Sequence, residues 1–203
     1  MKILLLFFVC LNVYAADNTI YIDQVGNNNQ ITITQTGSPN NIGGVNQQAA
    51  LLNGDANQIS VTQDSSNQFK MEITGDYNNL TATQSIANIV ETTILGNNNT
   101  LNFQQLNSGN KAIIASLNGN NNNVDATQQG SGQHQLNLTL TGNGHHVTTN
   151  QKDSGNHSAT INLTNTGGAA TVNLVQQGST NQNYSLIQSC SMLGGCLTTI
   201  TQQ

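Results

Sequence analysis

Residues 57–63 read NQISVTQ, 67–73 NQFKMEI, 78–84 NNLTATQ, 88–94 NIVETTI and 99–105 NTLNFQQ. In the first of these, Asn57, Ile59, Val61 and Gln63 alternate with Gln58, Ser60 and Thr62. Apolar or carboxamide residues thus line one face and small polar residues the other. Period two over seven positions, rich in β-branched types, specifies a strand with one buried face. The linkers DSS, TGDY, SIA and LGNN carry Gly, Asn and Ser, which favour turns. A helix would need period 3.6, and these breaks arrive before three turns could form.

The motif extends in both directions. Upstream copies begin at Asn18, Asn29 and Asn41, and downstream ones at Asn110 and Asn122. Degenerate copies begin at His134, His145, His157, Ala170, Gln182 and Cys196, which brings the total to sixteen. A second periodicity is superimposed. Gln63, Gln84, Gln105, Gln128, Gln151 and Gln176 close alternate copies, whereas Ile73, Ile94, Ser116, Leu140 and Leu163 close the others. The unit is therefore two strands, about 22 residues. A chain coiling through two facing sheets, one strand per sheet per turn, produces this phasing. The expected fold is an all-β solenoid of two parallel, in-register sheets with about eight turns, roughly 38 Å long. Residues 48–56 interrupt the spacing and read as an inserted loop, whose Ala49-Ala50-Leu51-Leu52 run also suits a short helix or contact patch.

Composition excludes several functions. Charged residues are 6% of the chain, against roughly 25% in ordinary domains. Asn and Gln number 34 and 22 of 203 residues, too many for a large Leu/Ile/Phe core. The net charge of −5 supplies no basic stripe, so nucleic-acid binding is not expected. Lys2, the apolar run from Ile3 to Val9 and the small residues near Val13-Tyr14-Ala15 read as a secretory signal peptide over 1–15. The mature chain then starts at Ala16, is secreted, and loses Cys10 with the signal. No other apolar run is long enough to cross a membrane. Cys190 and Cys196 remain, and an even pair in an exported chain favours a disulfide, here closing a loop over 189–197.

Carboxamides that bracket the apolar pairs should point inward at the corners: Asn18, Gln24, Asn29, Gln35, Asn57, Gln63, Asn78, Gln84, Asn99, Gln105, Asn122, Gln128, Gln151 and Gln176. A buried amide left unpaired costs roughly 1–3 kcal/mol. Stacking one rung on the next pairs each with its neighbour and leaves only terminal rungs open. The chain enters a strand near Asn18 and is still in one at Thr198, Ile200 and Gln202. Both sheet edges are therefore expected to be open, and end-to-end polymerisation follows.

The run NTIYIDQVGNNNQITITQ, from Asn18 to Gln35, resembles the curlin repeat of bacterial curli fibres. The resemblance implies a β-solenoid subunit, exported across the outer membrane, that nucleates or builds amyloid fibres for biofilm and surface adhesion. It also implies ladder roles for Asn18, Gln24, Asn29 and Gln35, and partners in other subunits of that kind and in an outer-membrane export machinery. The chain departs from that pattern where Ile, Leu or Ser replaces the second Gln.

His134, His145, His146 and His157 raise a metal reading, since His134 and His157 fall on successive rungs of one sheet. The plainer expectation is His in place of a corner Asn, hydrogen-bonded and neutral, with no metal and no cofactor. Asp64, Glu72, Glu91 and Asp125 fall on outward positions, and no nucleophile, base and orienter converge, so no catalysis is expected. A monomeric solenoid that binds a surface through its outward face is the alternative to a fibre subunit.

Overall fold

The alternating pattern becomes strands throughout the computed structural model, which describes residues 18–46, 48–165, 168–190 and 194–203. The proposed signal peptide lies outside the described residues. The N-terminal strands are β1 Thr19–Ile20, β2 Ile22–Val25, β3 Gln30–Thr36, β4 Asn41–Gly43, β5 Ala50–Asn53 and β6 Gln58–Asp64. The middle ones are β7 Gln68–Thr74, β8 Asn79–Gln84, β9 Ile89–Leu95, β10 Thr100–Gln105, β11 Ala112–Asn118 and β12 Asn123–Gln128. The last are β13 Gln135–Thr141, β14 His146–Gln151, β15 Ser158–Asn165, β16 Ala170–Gln176, β17 Asn183–Cys190 and β18 Cys196–Gln202. No helix occurs among the described residues.

Strands alternate between two parallel sheets. The first stacks β1-β4-β7-β9-β11-β13-β15-β17, with β2 and β5 continuing the lines of β1 and β4; the second stacks β3-β6-β8-β10-β12-β14-β16-β18. Pairing is in register, for example Leu80 on Leu101 and Leu101 on Val124. The fold is a β-solenoid of about eight turns. Inward side chains such as Phe69, Phe103, Leu138 and Ile161 are fully buried between the sheets. Outward Thr, Asn, Gln and Ser meet solvent, which is why alternation survives here despite parallel pairing.

Three expectations are corrected. Residues 50–53 are strand, not loop: Ala50 and Leu52 continue the inward face and are buried, and 44–46 with 48–49 lie outside the strands. The third copy turns inward at Asn40, which is buried, and Asn41 is exposed. In the ninth copy the inward residues are Lys111, Ile113, Ala115 and Leu117, not Asn110 and Ser116. Leu117 thereby stacks between Ile94 and Leu140. The same rule explains all three, since apolar atoms take the inward register wherever a one-residue shift would expose them.

One arc is built around stacked glycines. Gly54, Gly75, Gly96 and Gly119 lie one above another, and a Cβ on Gly75 would collide with the Gly96 carbonyl. Their φ values of 133–150° also favour glycine.

Candidate functional site

In the second sheet the last inward position of each strand is Gln. Gln35 Nε2 donates to Gln63 Oε1 at 2.8 Å, Gln63 to Gln84 at 3.0 Å and Gln84 to Gln105 at 3.1 Å. Gln105 donates to Gln128 at 3.0 Å, Gln128 to Gln151 at 2.8 Å, Gln151 to Gln176 at 2.9 Å and Gln176 to Gln202 at 2.8 Å. The second amide hydrogen crosses to the facing sheet, as from Gln105 Nε2 to the Ile89 carbonyl at 3.0 Å. Every bond points the same way, so the column has polarity. Gln35 presents an acceptor at one edge, and Gln202 a donor at the other.

The first position of the same strands forms an Asn column. The Oδ1 of Asn29, Asn57, Asn78 and Asn99 accepts the backbone N–H of Asn57, Asn78, Asn99 and Asn122 respectively, at 2.8–3.0 Å. Each Nδ2 reaches the stacked-glycine arc one turn on, as Asn78 does to the Gly96 carbonyl at 2.8 Å. His145 continues the column: its N–H donates to Asn122 Oδ1, and its Nδ1 accepts from Ala170 N at 3.0 Å. Its Nε2 lies 3.1 Å from the Thr141 carbonyl. Nδ1 replaces Oδ1, and Nε2–H replaces the amide N–H.

The opposite corner changes along the stack. Asn18, Asn40, Asn67 and Asn88 link by Oδ1 to the next backbone N–H at 2.8–3.1 Å. Lys111 N–H caps that series by donating to Asn88 Oδ1 at 2.9 Å. Its buried ammonium donates to the carbonyls of Asn107, Ser108 and Gly130 at 3.3, 2.5 and 2.8 Å. Burial pushes Lys111 down to about 8. His134 and His157 follow with rings stacked 5.0 Å apart. Their Nε2 atoms meet the Gln129 and Lys152 carbonyls at 2.7 and 2.8 Å. Burial pushes His134 down to about 4, and nearby His157 and Lys111 add to the lowering.

Gln24 departs from its expected role. It holds the inward register, but its neighbour one rung on is Leu52, so it joins no carboxamide ladder among the described residues. Cys190 and Cys196 form a disulfide between β17 and β18. Sequence reading missed a further, exposed column in the glycine arcs. Asp55, Asp76, Asn97, Asn120 and Asn143 each accept a backbone N–H from the preceding turn at 2.6–2.7 Å. The recurring Gly-Asp or Gly-Asn pair was its signal.

Among the described residues the stack is open at both ends. β3 pairs only with β6, β18 only with β16, and β17 only with β15 among the described residues. The half-buried apolar residues packed against the core are Ile20, Ile22, Ile31, Ile33, Tyr184, Leu186, Cys196 and Ile200. All of them belong to the first and last turns.

No family model, curated protein or solved structure matches this chain. The geometry defines the class by itself. It is a two-sheet parallel β-solenoid with inner carboxamide ladders, of which the Gln column runs the length of the stack.

Proposed function

We propose that the chain is a secreted structural subunit of an extracellular, amyloid-like fibre of the curli type, in biofilm matrix and surface adhesion. Copies join end to end by continuing both sheets, so the main partner is a second copy, beside other curlin-type subunits and an outer-membrane export machinery. The role is mechanical, without catalysis, cofactor, nucleic acid or membrane insertion. The observation that carries this reading is the pair of open edges. Each shows a strand with one unpaired side, a ladder with one unmade bond and apolar side chains covered on one side only.

Purified protein, concentrated and incubated, should form unbranched filaments whose diffraction shows a spacing of about 4.8 Å along the fibre axis. Added fragments of preformed filament should abolish any lag. A protein that stays monomeric under prolonged concentrated incubation overturns the fibre reading and favours the monomeric adhesin.

A further inference from the structure

The last inward column of the first sheet runs Gln24, Leu52, Ile73, Ile94, Leu117, Leu140, Leu163, Gln188. Six interior rungs are apolar, and the two outermost are carboxamides. The fold uses neither carboxamide in full. Gln24 rests on Leu52, and its side chain has no hydrogen-bond partner among the described residues. Gln188 Oε1 accepts from Thr198 Oγ1 at 3.2 Å, and its amide hydrogens have no acceptor among the described residues. Both side chains are half-buried at the open edges.

A second copy that continues the in-register stacking brings β17 onto β1 and β2, and β18 onto β3. Position 188 then meets position 24, and position 202 meets position 35. We infer that Gln24 and Gln188 form a junction pair, in which Gln188 Nε2 of one copy donates to Gln24 Oε1 of the next. This deepens the fibre reading and rests on it. Each sheet then contributes one carboxamide bond across the joint, because Gln202 Nε2 finds Gln35 Oε1 in the same way.

Polarity follows from the ladder already made. Gln35 Nε2 is committed to Gln63, so that edge offers an oxygen. Turning the amide over would set its oxygen against Gln63 Oε1. Two such edges meeting face to face would therefore oppose acceptor to acceptor, and only head-to-tail joining pairs donor with acceptor. Placing Gln at the outer rungs also keeps this apolar column out of water in the free subunit. A partner docking against an interior rung would meet Leu or Ile and leave a carboxamide unpaired.

The test is seeded elongation of the purified chain as wild type, Gln24→Leu, Gln188→Leu and the double variant. Leucine is the interior residue of this column, so circular dichroism should match wild type, and only Gln188→Leu, which gives up the bond from Thr198, should melt slightly lower. Each single variant should raise the critical concentration about tenfold, equivalent to about 1.4 kcal/mol. The double variant, with Leu facing Leu, should return towards the wild-type value. A single variant with altered circular dichroism is replaced by Gln24→Asn or Gln188→Asn, which shortens the reach and should give the same rise. Wild-type elongation with unchanged single variants overturns the junction pair alone. A wild type that never elongates overturns the fibre reading and this inference together.

Discussion

Asn88 and His134 occupy the same corner column two turns apart, yet they satisfy it differently. Before Asn88 the arc is residues 85–87, and the short Nδ2 reaches the Ser85 carbonyl, three residues back, at 2.8 Å. Before His134 the arc is residues 129–133, and the longer imidazole reaches the Gln129 carbonyl, five residues back, at 2.7 Å. Lys111, His157 and Gln182 follow five-residue arcs as well, at 106–110, 152–156 and 177–181. His157 and Gln182 bond carbonyls five residues back, at Lys152 and Gln177. Lys111 reaches four and three back, to Asn107 and Ser108. At this corner, side-chain length therefore matches arc length. His134 and His157 are long substitutes for asparagine, and their Nε2 atoms are occupied by backbone carbonyls.

Exchanging the two solutions should break the fold most severely. Asn88→Lys brings an ammonium into a three-residue arc and removes the Oδ1 that accepts Lys111 N–H. It also sets two cations on adjacent rungs, so the expected loss is 3 kcal/mol or more, about that of an uncompensated buried charge. Denaturant unfolding measures it directly, and a near-neutral result would refute the length-matching rule.

Acid should separate the halves next. His134 ordinarily titrates near 6.5 and sits at about 4 in the fold. The unfolded chain takes up its proton first, so stability is full above 6.5 and declines as pH falls towards 4. The groups facing His134 are Lys111, His157 and Asp153, of which only Asp153 opposes the lowering by its charge. The decline should total at most about 3 kcal/mol. His134→Gln, which copies the reach of Gln182, should flatten that dependence in melts taken from pH 7 to pH 4.

Smaller changes sharpen the same contrast. His134→Asn keeps an acceptor for the next rung but falls short of Gln129, and should cost about 1–2 kcal/mol at pH 7. A control sits on the outer face, where Lys70 and Glu91 pair at 3.5 Å with both side chains partly exposed. Lys70→Ala should change stability by less than about 1 kcal/mol.

Strand type, the two-sheet alternation and the Gln column were legible because period two and the recurring Gln are local facts. Register at Lys111 was not. Asn110 imitates the corner residue in sequence, and a lysine reads as solvated until its three carbonyl partners surround it. The strand over 50–53 was hidden for a similar reason, since the break in spacing after Gly43 parts it from β4, whose line it completes.

Alternation of side chains along each strand determined by itself that this protein is a coil of β-strands with amides turned inward. Side-chain direction in a strand depends only on counting by twos. Which residue fills each corner, and which columns close on themselves, was decided by the stack. A carboxamide's partner belongs to another turn, about twenty residues away, at a distance set by the arcs between them.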